Sequence, residues 1–172
     1  MSAEDRTTAV LLLNMGGPDS LDAVRPFLTN LFSDPAIIGL PGFLRLPLAR
    51  LMGKRRAEKV TPRYRLIGGR SPISQITAGQ AQALASVLRD RGHDIAGVFP
   101  AFSYWHPFIH EAVDSAHRAG ARRLIALSLY PQYCRATTGT CVQDLSRALP
   151  GTPFEARTRI VDSWPDHPGY IG

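Results

Sequence analysis

The chain has 172 residues, enough for one domain with a substantial core and too few for two. Hydrophobic residues make up 44% and charged residues 20%, as in ordinary globular proteins, and no apolar run reaches the roughly 20 residues of a membrane span. The formal charge of +6 comes mostly from arginine and favours anionic partners: nucleic acid, phosphate, acidic lipid or a carboxylated metabolite. The N-terminus lacks an apolar signal core, so a cytoplasmic address is expected. Cys134 and Cys141 are too few for a disulfide framework or a zinc site.

In chain order, the unbroken apolar run 7–14, TTAVLLLN, predicts a strand buried on both faces. Asp19 or Ser20 can cap the next helix, in which Leu21, Val24, Phe27, Leu28 and Leu31 recur at helical spacing as far as Pro35. Residues 36–53 are apolar but punctuated by Pro41, Gly42 and Pro47. They read as an exposed flap or lip, and a short helix packed on the core fits the pattern equally well. Residues 53–65, GKRRAEKVTPRYR, carry six basic residues and one acid, and residues 54–66 read as helical. Further helices are expected over 73–91, 107–120 and 137–149, the last capped by Thr137 or Thr138. Strands are expected over 93–104, 122–130 and 155–164, and PDHPGYIG reads as the start of another helix.

Strand–helix alternation predicts a parallel sheet covered on both faces, with ligands at the carboxyl ends of the strands. Four loops therefore matter. NMGGPDS follows Leu13 and is neither G-x-G-x-x-G nor a P-loop. No acidic residue closes the second strand to hold a ribose, so nucleotide or flavin binding is disfavoured. SYWHP brings Tyr104, Trp105 and His106, the histidine reading as a structural hydrogen bonder. LYPQYCRATTG brings Tyr130, Gln132, Tyr133, Arg135 and Thr137, and DSWPDHPGY brings Trp164 and His167, which can simply pack. With the basic segment these loops are expected to line one cleft with aromatic walls and an arginine rim. Such a cleft suits a flat apolar ligand bearing carboxylates. The aromatics occupy turns and are not interleaved with basic residues along a stripe, which argues against nucleic acid. No Cys/His pair or close carboxylate pair suited to acid–base work is present.

The stretches LLLNMGGPDSLDAVRPFLTNLFSDPAII, KRRAEKVTPRYRLIGGRSPI, YWHPFIHEAV and LYPQYCRATTGT resemble, in order, those of the ferrochelatase family, whose members insert Fe(II) into a porphyrin. The resemblance implies an α/β, flavodoxin-like, chelatase-type lobe: a four-stranded parallel sheet with helices on both faces and a lip insertion after the first helix. It covers residues 1–172 as an N-terminal lobe, with 36–52 as the active-site lip and a peripheral membrane contact. The family's second lobe, which carries a catalytic histidine in an S-x-H-x-x-P-type segment and an acidic partner, has no counterpart here, so no catalytic residue is assigned.

Residue by residue, Met15 matches the position facing the macrocycle opposite that histidine, and Leu28 and Leu31 match apolar walls. Arg56, Arg63, Tyr64 and Ser71 match polar residues at the propionates or rim, and Tyr130, Tyr133 and Thr137 match the lining of the third loop. Ser103 stands where many relatives carry arginine. Arg135 stands where some carry a cluster-binding cysteine, with Cys134 one place off, so no iron–sulfur cluster is expected. Porphyrin and Fe(II) are implied as substrates, with no permanently bound cofactor, and the lobe alone is expected to be inactive. A stand-alone porphyrin-binding module is the alternative, and a face left uncovered by a partner lobe would favour self-association.

Overall fold

The central strand β1 (Thr8–Asn14) owes its place to the apolar run, whose residues from Ala9 to Leu13 are all buried. The computed structural model describes residues 7–172. Around β1 the chain lays down α1 (Val24–Phe32), α2 (Gly42–Leu66), α3 (Ile73–Asp90), β2 (Ile95–Phe102), α4 (Ile109–Arg118), β3 (Arg123–Ser128), α5 (Thr140–Ala148), β4 (Thr158–Val161) and a short α6 (Pro168–Ile171). The strands form one sheet of order β2-β1-β3-β4 in which every pairing is parallel, an α/β flavodoxin-like arrangement. Pro100 is accommodated because β2 is an edge strand.

The pleat splits β1 between two cores. Ala9, Leu11 and Leu13 pack with Leu124 and Ala126 against α4 and α5, through Ile109, Val113, Cys141 and Leu145. Val10 and Leu12 face the other way, toward Ala81, Leu84 and Leu88 of α3. All four strands end at one edge, where their loops gather.

Four local expectations are corrected. Residues 42–66 form one continuous helix, not a flap followed by a helix, with Pro47 and Pro62 inside it. Tertiary packing outweighs the prolines. Gly53 lets α2 approach α1 so closely that a Cβ there would lie 2.5 Å from Thr29 Oγ1. The Arg45 guanidinium ties the start of α2 to the preceding turn, donating to the carbonyls of Ser33 (2.8 Å) and Leu40 (2.6 Å). Thr137 and Thr138 do not cap α5. They lie in a π-helical turn, Arg135–Gly139, where Thr138 Oγ1 pairs with Ser128 Oγ at 3.1 Å and Thr137 donates to the Cys134 carbonyl. The last strand stops at Val161, and Trp164 folds back so that its indole N–H donates to the Ser128 carbonyl at 2.8 Å. Neither Asp19 nor Ser20 caps α1: the helix starts after Ala23 with no side-chain cap, and the Ser20 hydroxyl instead accepts the Ala23 amide within the preceding turn.

Candidate functional site at the carboxyl edge of the sheet

Where β1 ends, Asn14 Oδ1 accepts both the Met15 amide (2.7 Å) and the Tyr130 hydroxyl (2.9 Å). This joins the first and third loops. Met15 is also held from the second loop, because its carbonyl accepts the Tyr104 amide. Gly16 then takes φ +80°, and a Cβ there would lie 2.8 Å from Phe102 Cβ, so only glycine fits without displacement. A Cβ on Gly17 would meet Ser71 at 2.6 Å, so Ser71 packs directly on the paired-glycine turn, where its amide donates to the Pro18 carbonyl.

Met15 lies half-buried in an apolar cluster with Leu28, Leu31, Val60, Tyr64 and Trp105. Four residues matched from the resemblance thus meet in one patch: Met15, Leu28, Leu31 and Tyr64. Tyr130 joins through the Met15 amide and Ser71 through Gly17. On α2, Ala57, Val60 and Tyr64 face α1. Arg56 and Arg63, seven residues apart, share the flanking stripe and are exposed. Arg56 sits with Phe32, Met52 and Lys59 along a shallow groove of about 200 Å³. The expected single cleft is therefore an apolar patch with a cationic flank. Tyr133 is 57% exposed and lies against Gly139 with Thr137 in the π turn, so the structure does not pack these two residues into the Met15 cluster.

A buried polar clamp stands next to the patch. Asp34 Oδ2 accepts the hydroxyls of Tyr104 (2.6 Å) and Thr140 (2.8 Å), and its Oδ1 accepts the Ala36 amide (2.6 Å). The Asn30 amide donates to the Tyr104 carbonyl. Burial, reinforced by the Asp34 carboxylate, pushes the Tyr104 phenol far above its ordinary range. Burial also pushes Tyr130 up to about 12 and the Cys141 thiol up to about 11, and it raises Tyr64. These phenols keep their protons at neutral pH.

Ser103 points inward, donating to Cys141 Sγ at 3.3 Å. It also lines a cleft of about 300 Å³ with Asp144 and Arg147. Burial raises the Asp144 carboxyl. His106 pairs with Glu111 at 2.9 Å, as expected of a structural histidine. His167 Nδ1 accepts the Gly169 amide at the start of α6, and Trp164 packs edge-on to Tyr170. Among the described residues, no three His, Cys, Asp or Glu side chains converge on a metal-sized point.

The residues that sequence reasoning missed are Asn14 and Asp34. Asn14 carried a signal, as the one polar residue closing an apolar strand at its carboxyl end. Asp34 carried none, since its hydroxyl partners lie 70 and 106 positions away.

Residues 7–172 match the family model described as ferrochelatase. The ferrochelatase of Geobacter metallireducens is 52% identical over 165 residues, covering 95% of this chain and 51% of the relative. That of Geotalea uraniireducens is 48% identical over 165 residues, with 95% and 50% covered. That of a Cyanothece strain is 47% identical over the same length, with 94% and 42% covered. The chain spans about half the length of the curated relatives it matches. With a match across essentially all described residues, the chain belongs to the ferrochelatase family.

Proposed function

We propose that this chain supplies the porphyrin-holding half of a ferrochelatase, an enzyme that inserts Fe(II) into a porphyrin in haem synthesis. The observation that carries the reading is the convergence of Met15, Leu28, Leu31 and Tyr64 into one apolar patch at the carboxyl edge of β1. A flat macrocycle laid on that patch contacts a soft thioether and an aromatic ring, and removal of apolar surface from water supplies most of its affinity. Arg56 and Arg63 meet its carboxylates at the edge. Exposed ion pairs contribute at most about 1 kcal/mol each, so the arginines orient the ring more than they hold it.

Metallation also requires two pyrrole protons to leave. The phenols beside Met15 all have raised pKa values and cannot accept protons at neutral pH. In this reading the proton acceptor comes from a second half like that of the longer relatives, and the chain alone binds porphyrin without metallating it. Binding energy from the patch and the arginines is then available for distorting the ring toward its metallated geometry. Phe43, Leu44 and Leu46, all exposed on the first turns of α2, suit residues 36–52 to a lip that guards the patch and rests on a membrane surface from the cytoplasm. No helix among the described residues is long and apolar enough to cross a membrane.

The test is absorbance titration of protoporphyrin with the purified chain, alongside a zinc-insertion assay. A saturable Soret shift without turnover is expected. No shift would contradict the porphyrin site, and turnover by the chain alone would contradict the missing proton acceptor.

A further inference from the structure

Among the described residues, two buried side-chain polar atoms lack a hydrogen-bond partner: the Trp105 indole nitrogen and the Ser74 hydroxyl oxygen. Both border the paired-glycine turn. A Cβ on Gly16 would lie 3.4 Å from Trp105 Cβ, and a Cβ on Gly17 would lie 2.9 Å from Ile73 Cγ2, one residue before Ser74. An orphaned donor is costly in an apolar setting, because no water replaces the missing acceptor. Folded proteins keep few such groups, and each calls for an explanation. The second loop offers Trp105 no acceptor of its own. Its side chain packs on the same apolar cluster as Met15 and Tyr64. The nearby carbonyls are already engaged: that of Asn14 accepts the Ser103 amide, that of Met15 the Tyr104 amide, and that of Tyr104 the Asn30 side chain. These bonds fix the backbone of the loop, so the half-buried indole is left to turn about its own two side-chain bonds.

We propose that Trp105 and Ser74 form a carboxylate subsite at the paired-glycine turn, the indole N–H and the hydroxyl donating to one carboxylate of the bound macrocycle. The inference rests on the porphyrin reading and deepens it. Two features select a carboxylate. The indole N–H can only donate, so its partner must be an acceptor. A charged acceptor makes the strongest hydrogen bond, enough to draw the indole out of its apolar packing. The exposed Arg56 and Arg63 on the α2 flank add a positive field that favours the same charge. The arginines come from α2 and Trp105 from the second loop, so the two approach the ligand from different elements. A ring bearing two carboxylates is then fixed in rotation as well as held flat, and Trp105 becomes a specificity-determining residue.

The chain has two tryptophans, so its indole nitrogen–proton NMR spectrum carries two signals. Trp164, bonded to the Ser128 carbonyl, serves as the internal reference, and Trp105→Phe assigns the other. Titration with sodium propionate, against sodium chloride at equal ionic strength, is expected to move the Trp105 signal downfield saturably and to leave Trp164 in place. Trp105→Phe is expected to weaken protoporphyrin binding about tenfold, with the affinity for protoporphyrin dimethyl ester unchanged. Ser74→Ala is expected to weaken the acid about threefold without lowering the melting temperature, since it deletes an orphaned group. A Trp105 signal unmoved by propionate overturns the proposal. So does a Trp105→Phe variant that weakens acid and ester alike, because the side chain would then contribute apolar packing alone. A melting temperature lowered by Ser74→Ala reveals a partner for the hydroxyl and removes Ser74 from the subsite. If the parent chain binds neither acid nor ester, the porphyrin reading falls, and the propionate titration still decides the carboxylate subsite.

Discussion

Tyr104 belongs to two regions built on opposite terms. Its ring packs in the Met15 cluster, among half-buried apolar side chains that end at the surface. Its hydroxyl enters the Asp34 clamp, where every named polar group is hydrogen-bonded and the carboxylate is only 7% exposed. The clamp joins three distant segments, the end of α1, the second loop and the start of α5, and it derives its strength from being fully satisfied in a poorly solvated setting. The patch contributes less to folding because part of its apolar surface remains in contact with water. The site is thus a rigid polar frame holding an apolar surface available for a ligand.

The sharpest way to break this contrast is Asp34→Ala, which leaves the Tyr104 and Thr140 hydroxyls buried without an acceptor. A loss of about 3 kcal/mol is expected, or about 6–12 °C in melting temperature for a domain of this size. Calorimetry reads it directly. Gly16→Ala follows, at about 2 kcal/mol, because alanine must hold positive φ and clear the Phe102 side chain. Denaturant titration with an unchanged slope would confirm a change in stability alone.

On the patch side the effect moves from folding to binding. Met15→Ala should weaken porphyrin binding about tenfold, or about 1.4 kcal/mol, while costing about 1 kcal/mol of stability or less. Absorbance titration beside a thermal melt separates the two. Tyr104→Phe has the smallest effect, about 1 kcal/mol at neutral pH, but it changes the pH profile. The folded-state pKa of Tyr104 lies far above its ordinary value of 10.0, so the folded protein binds more protons than the unfolded chain at alkaline pH. That contribution to stability is complete below pH 10 and is lost as the pH rises beyond it. Melts between pH 8 and about 11 should fall steeply for the parent chain and less steeply for Tyr104→Phe.

Much of this was legible in the sequence where the determinants are local. The four strands follow from apolar runs, and the loops at their carboxyl ends follow from alternation. Met15, Leu28, Leu31 and Tyr64 lie on recognisable stretches and do meet in one cluster. What was not legible depends on distant partners. The continuity of α2 through Pro47 rests on its packing against α1 at Gly53 and Thr29. Asp34 reads as an ordinary turn residue until folding brings Tyr104 and Thr140 to it. Thr138 has the right identity for a cap but is drawn to Ser128 instead. Arg56 and Arg63 reach the flank of the patch and not its centre, a consequence of helical phase that only the packing of α2 fixes.

The division between ligand surface and frame is tested most directly by hydrogen exchange of the 172-residue chain with and without protoporphyrin. Protection is expected in peptides covering 14–17, 28–32 and 60–71, with those covering 106–111 and 141–148, beside the Asp144 cleft, unchanged. Protection confined to 106–111 and 141–148 would place the ligand in the polar cleft and contradict the assignment of the Met15 patch.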